Sequence, residues 1–136
     1  LLEGLIRDPV VDVRKTAIWA IGEIEDNAGV TPAATALKDA DPEVRGLAAW
    51  ALGQIEDAQG VEPLVAALKD SDIEVRATAA WALGQIESPS AREGLMAAQQ
   101  DESGSVRRAA TWALRQIDGD DHGIRVRVRP NVKVKP

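Results

Sequence analysis

The sequence predicts an all-α fold, a superhelix of stacked helix pairs. Three observations carry that expectation. A block of 31 residues recurs along the chain, each block holds two apolar stripes at helical spacing, and helix-starting residues stand at matching places in the copies. The period is plainest in Trp19, Trp50, Trp81 and Trp112. Asp8, Asp39, Asp70 and Asp101 keep the same spacing, as do Val13, Val44, Val75 and Val106, then Arg14, Arg45, Arg76 and Arg107, and finally Ile24, Ile55, Ile86 and Ile117. A fixed period of this length signals one structural unit repeated by stacking.

The elements follow in order. "LLEGLIRD" matches the second half of an outer helix and is too short to be stable alone, so Leu2, Leu5 and Ile6 must dock on the first inner helix. With no initiating Met, the chain reads as a fragment whose first repeat is cut and which further repeats preceded. Inner helices are expected near 11–25, 41–56, 72–87 and 104–118. In the second, Asp41 is the N-cap and Pro42 the first helical residue. Val44, Ala48, Ala51, Leu52 and Ile55 then form one stripe, and Val61, Leu64, Val65 and Leu68 form the stripe of the outer helix that follows. Ser88-Pro89 supplies a cap and first-turn Pro, whereas Pro32 and Pro63 lie deeper and are expected to bend their helices. Neither helix buries its stripe alone, and the Ala positions permit close approach between neighbours. The last copy is more polar, with Gln99, Arg108 and Arg115 where earlier copies have Leu68, Ala77 and Gly84, as a terminal repeat requires. The repeat domain is placed at 1–118.

"DADPEVRGLAAWALGQIEDAQGVEPLVAALKD" (39–70) resembles the HEAT repeat in its short bacterial form, related to phycobilisome-lyase HEAT-like repeats and similar to designed consensus repeat proteins. The resemblance covers 1–118. It implies a right-handed α-α superhelix of the HEAT/armadillo kind, with helices like 42–56 on the concave face and those like 60–69 on the convex face. It also implies a hydrogen-bond ladder between repeats, carried by Asp39, Asp70 and Asp101 with Arg45, Arg76 and Arg107. The motif is specific for fold and not for function, since the family spans scaffolds, adaptors, lyases and a few enzymes.

The Trp positions are the candidate site. At about 100° per residue from Val44, the apolar stripe centres near ~25° and Trp50 falls near ~240°, beside Glu43, Gly46, Gly53 and Gln54. On that reading Trp19, Trp50, Trp81 and Trp112 form an exposed ladder along the concave groove. Gln54 and Gln85 lie beside it, and Asp12, Glu43 and Glu74 form an acidic rim. Four half-exposed indoles would offer roughly 400–500 Å², a patch size that is often functional, and Trp is enriched at binding hot spots. The competing reading makes each indole a lid over a Gly or Ala one turn away and over the neighbouring helix, with Gly22, Gly46, Gly53 and Gly84 making room. The exposed reading is preferred because of the wheel angle.

Charge narrows the partner. Residues 1–118 hold eleven basic and twenty acidic side chains, a net −9, and residues 119–136 hold five and two, a net +3. An acidic groove repels nucleic acid and favours a protein or a basic or amphipathic peptide, with Lys15, Arg108 and Arg115 breaking the pattern at the ends. The function expected is a protein- or peptide-binding scaffold. The alternatives are a purely structural or regulatory segment of a larger protein and, further off, a bilin-lyase-like subunit. The differences between copies argue for a natural rather than an engineered origin.

Chemistry is nearly absent. His122 is the single His, and "DDH" (120–122) is a poor metal set. The paired His-Glu motifs of HEAT-like di-iron hydroxylases do not occur, nor does a Gly-rich phosphate loop. No enzyme activity, cofactor or metal is expected. No apolar run has the length of a membrane span and no signal peptide is visible, so the chain is read as soluble and cytoplasmic by default. With no Cys, the redox compartment stays open. "GIRVRVRPNVKVKP" (123–136) alternates apolar and basic residues and reads as an extended arm or a linker, with self-association through an acidic surface as one use.

Overall fold

A computed structural model describes residues 2–119. Among them the chain is helical with no strand. The basic tail and His122 lie outside the described residues. The order is α1 (Leu2–Leu5), α2 (Val11–Ile24), α3 (Val30–Ala36), α4 (Pro42–Ile55), α5 (Val61–Ala67), α6 (Ile73–Ile86), α7 (Arg92–Ala98) and α8 (Gly104–Asp118), with short 3₁₀ turns leading into α3, α5 and α7.

The long helices α2, α4, α6 and α8 pack side by side in chain order as an inner layer. The short ones form an outer layer, each lying mainly on the inner helix that follows it. Local chemistry sets the boundaries. The Asp41 carboxylate accepts the Glu43 and Val44 N–H groups at 2.8 and 3.3 Å, starting α4, and Asp72 accepts the Val75 N–H at 3.1 Å, starting α6. Val10 and Ser103 give α2 and α8 no such side-chain cap. Each of the first three inner helices stops at a Glu in the left-handed region, Glu25, Glu56 and Glu87, with φ of 58°, 59° and 61°. Gly119 takes that place after α8.

The expected bend at Pro32 and Pro63 is replaced by a different arrangement. Each outer segment is split into a 3₁₀ turn and a seven-residue helix. Both prolines therefore stand in the first turn of α3 and α5, where an N–H would find no helical acceptor, so nothing is lost.

The core is one continuous cluster running through the stack. α4 and α6 are buried on nearly every side, from Leu47 to Gly53 and from Val75 to Gln85, because each has an inner neighbour on both flanks and an outer helix above. α2 and α8, each flanked on one side, bury fewer residues. Ile24 shows the consequence. Its copies Ile55 and Ile86 reach the 3₁₀ turns of the preceding repeat at Gly29 and Gly60, whereas Ile24 has no such turn before it and is 61% exposed. No helix among the described residues is long and apolar enough to cross a membrane.

Candidate functional site

The Trp positions require a correction. Trp50 and Trp81 are each 1% exposed, and Trp19 and Trp112 are half-buried. The exposed indole ladder is therefore not present, and the lid arrangement is. The six-membered ring of Trp50 lies on Gly22 of α2, that of Trp81 on Gly53 of α4, and that of Trp112 on Gly84 of α6. A Cβ placed at Gly53 or Gly84 would stand 2.7 or 2.6 Å from the Cζ3 atom of its Trp, so only Gly lets the ring sit there. Gly46 plays no such part, since a Cβ there meets nothing within 4 Å. The wheel failed for a physical reason. It treats everything far from one apolar stripe as solvent, but that sector of α4 faces α2. The indole Nε1 groups of Trp19, Trp50 and Trp81 are buried with no acceptor, in keeping with rings placed for packing.

A second repeating device joins the same helices. Arg14 donates Nε and Nη2 to Asp39 at 2.8 and 3.2 Å, Arg45 to Asp70 at 2.9 and 3.0 Å, and Arg76 to Asp101 at 2.9 and 3.2 Å. Each pair is bidentate and mostly buried. Each guanidinium is also fixed from behind. Nη1 donates to the backbone carbonyl six residues back, at 2.8 Å for Arg14, 2.9 Å for Arg45, 2.8 Å for Arg76 and 2.7 Å for Arg107. Each Asp in turn accepts the backbone N–H two residues on. Burial works against the charge on Asp101, but the Ser103 N–H and Arg76 outweigh it and hold its carboxyl below the usual carboxylate range. The hydrogen bond to Asp70 raises the Arg45 guanidinium further. Arg14, not named by the resemblance, forms the first rung, and its 31-residue distance from Arg45 is the signal that marks it. Arg107 keeps its carbonyl anchor, but no carboxylate pairs with it among the described residues.

The rim residues fall as follows. Asp12, Glu43 and Glu74 are exposed in the first turns of α2, α4 and α6. Glu43 is not a bare charge, because Lys15 of α2 reaches it at 2.9 Å. That hydrogen bond outweighs desolvation and raises the Lys15 ammonium above its ordinary value. Gln54 is half-buried and makes a long 3.4 Å contact to Glu25, while Gln85 is buried and withdrawn from the face. The sign of charge reverses at α8. There Arg107, Arg108, Thr111, Trp112 and Arg115 line an open depression of about 330 Å³. A larger depression, about 830 Å³, lies in the outer layer between Leu68 of α5's C-terminal end and Ala98 of α7, and it ends on the already paired Arg76 and Asp101. Among the described residues no group of three or more His, Cys, Asp or Glu is placed to hold a metal ion.

Two layers of paired helices, stitched at a 31-residue period by a Trp-on-Gly seat and an Arg–Asp rung, define an α-solenoid of helical repeats. Residues 1–72 and 61–124 match the family model of HEAT repeats, and the chain belongs to that family. Among solved structures it is similar to human deoxyhypusine hydroxylase in complex with glycerol, at 24% identity over 98% of this chain and 48% of that one, with a TM-score of 0.79. It is similar to a designed armadillo repeat protein in complex with the peptide (KR)4, at 26% identity over 85% of this chain and 62% of that one, with a TM-score of 0.68. The CpcE–CpcF complex of phycocyanin lyase from Nostoc sp. shares the fold at 19% identity over 88% of this chain and 65% of that one, with a TM-score of 0.62. The chain thus spans from about half to two thirds of the length of these structures. No curated protein matches it.

Proposed function

We propose that the chain is a non-enzymatic binding scaffold that takes a basic or amphipathic peptide, or a protein presenting one, on the open face of its inner layer. The observation that carries this reading is the row of first-turn carboxylates, Asp12, Glu43 and Glu74, at one repeat position of successive inner helices, with Gln54 at the opposite end of α4. A peptide laid across the layer would meet one carboxylate per repeat. The likeness to a designed armadillo repeat protein in complex with the peptide (KR)4 supports this reading. Of the four Trp positions, the half-buried Trp19 remains as a contact at the α2 end of the row, and Trp112 lies among arginines beyond its other end. Trp50, Trp81 and Gln85 act from beneath it by fixing the spacing of the helices. Glu74 offers the row's stronger charge, because Lys15 already offsets Glu43.

Titration with a (KR)4 peptide tests this. Saturable binding is expected, weakening as salt is raised. Glu74→Lys should lower the affinity about tenfold, the order expected from reversing a close charge. Binding that ignores Glu74→Lys and salt would overturn the reading.

A further inference from the structure

The rungs of the Arg–Asp ladder share one construction, and the last, at Arg107, has no carboxylate in place among the described residues. In the first three, a guanidinium anchored through Nη1 on a backbone carbonyl turns its Nε–Nη2 edge to the carboxylate that opens the next repeat. Arg107 has the same anchor, on the Asp101 carbonyl at 2.7 Å, and the same place at the start of its inner helix. Its surroundings differ. Arg108 and Arg115 stand in the positions that Ala77 and Gly84 hold one repeat earlier, and all three arginines are exposed. Thr111 donates its hydroxyl to the Arg107 carbonyl at 3.0 Å, and the half-buried Trp112 floors the depression between them.

We propose that this end face of α8 is a docking site for an acidic peptide segment, with a carboxylate of the peptide filling the bidentate position on Arg107. Three carboxylates already occupy that position in the same molecule, at 2.8–3.2 Å, so the chemistry of the ligand is set by the site's own copies. Arg115 adds positive charge where every earlier copy has Gly, Arg108 adds a second charge at the position that Lys15 holds beside the first rung, and Trp112 gives a flat apolar surface beside them.

Arg115 also decides which carboxylate enters. A second copy of this chain stacked end to end would bring Asp8 to Arg107 in the native spacing, 25 residues on in the repeat count. That register would also bring Trp19 onto position 115. The equivalent seats at Gly22, Gly53 and Gly84 have no room even for a Cβ beneath the Trp ring, and position 115 carries an Arg side chain. The rung is therefore open to an extended acidic segment and closed to another repeat of this type.

The probe is a blocked peptide of sequence DADPEV, the stretch that supplies a rung at residues 39–44, with NADPEV as its control. Binding to the full chain is followed by Trp fluorescence and by the NMR signal of the Arg107 Nε–H. Saturable binding of DADPEV is expected, with the Arg107 signal shifted, and NADPEV at least tenfold weaker. Arg107→Gln should abolish binding, and Arg107→Lys should weaken it severalfold, since an ammonium keeps the charge and loses the fork. Because Arg107→Gln also removes the carbonyl anchor, Arg115→Gln serves as a second variant, with affinity reduced a few-fold and folding unchanged. Equal affinity for the two peptides, or retention of binding in Arg107→Gln, would refute the site. So would concentration-dependent self-association abolished by Asp8→Asn, which would give the rung to a second copy.

Discussion

Trp81 and Gly53 form a single joint between repeats: the indole of one inner helix fills the place where any other residue of the preceding helix would put its Cβ. A Cβ at Gly53 would stand 2.7 Å from Trp81 Cζ3, 2.9 Å from Ala82 Cβ and 3.0 Å from Ala82 Cα. The ring can shift a little, but the Ala82 backbone cannot shift without opening the α4–α6 contact. Gly53→Ala is therefore expected to destabilise the fold by about 1–3 kcal/mol, the range for overpacking a core. Gly46→Ala, in the same helix and facing open space, should stabilise it by roughly 0.5–1 kcal/mol. Urea denaturation of the two variants gives opposite signs if the seat is what matters, and equal small gains if it is not.

The burial of the central indoles sets the next expectation. Trp50→Ala removes a side chain that is 1% exposed, and the loss should be about 3–5 kcal/mol. Trp112→Ala, at the half-buried end of the stack, should cost clearly less. Iodide should quench Trp112 while leaving Trp50 and Trp81 protected. A Trp50→Ala variant as stable as the parent would mean that the ring is not a joint.

The ladder predicts a pH dependence of definite sign. The folded-state pKa of Asp101 lies below its ordinary value of 3.8. A depressed carboxyl contributes stability that is fully present above the unfolded-state pKa and is lost as pH falls through the folded value. Asp101→Asn should therefore cost about 2 kcal/mol at neutral pH, the worth of hydrogen bonds to a charged group. The difference from the parent should shrink as both are taken below about pH 4. Denaturation midpoints at pH 7 and pH 3 measure this, and a difference that stays constant or grows on acidification would contradict it.

Much of the fold is legible in the residues themselves. The period of 31 gives the number and order of inner helices. Asp41 with Pro42 starts α4, and the stripe from Val44 to Ile55 gives its length, because capping and amphipathic spacing are local properties of a chain. The ladder was half legible. The period marks the recurring Asp and Arg, and the resemblance to the HEAT repeat implies that they join the repeats. Only the folded structure shows that Arg45 reaches forward to Asp70 instead of pairing with Asp39 of its own repeat, whose backbone carbonyl it uses as an anchor.

What the sequence by itself determined is the repeating unit: two helices, their starts and stops, and the apolar stripe each must bury. What only the tertiary structure decided is the fate of the residues off that stripe. A helical wheel knows one helix and one solvent, so it sends Trp50 outward with Glu43. In the stack each central inner helix has two inner neighbours, and the sector holding Trp50 becomes an interface with Gly22 while Glu43 stays at the rim. The difference lies in packing. A large indole and an absent Cβ are complementary only once two helices are brought side by side, and no periodicity within one helix records which neighbour its flank will meet.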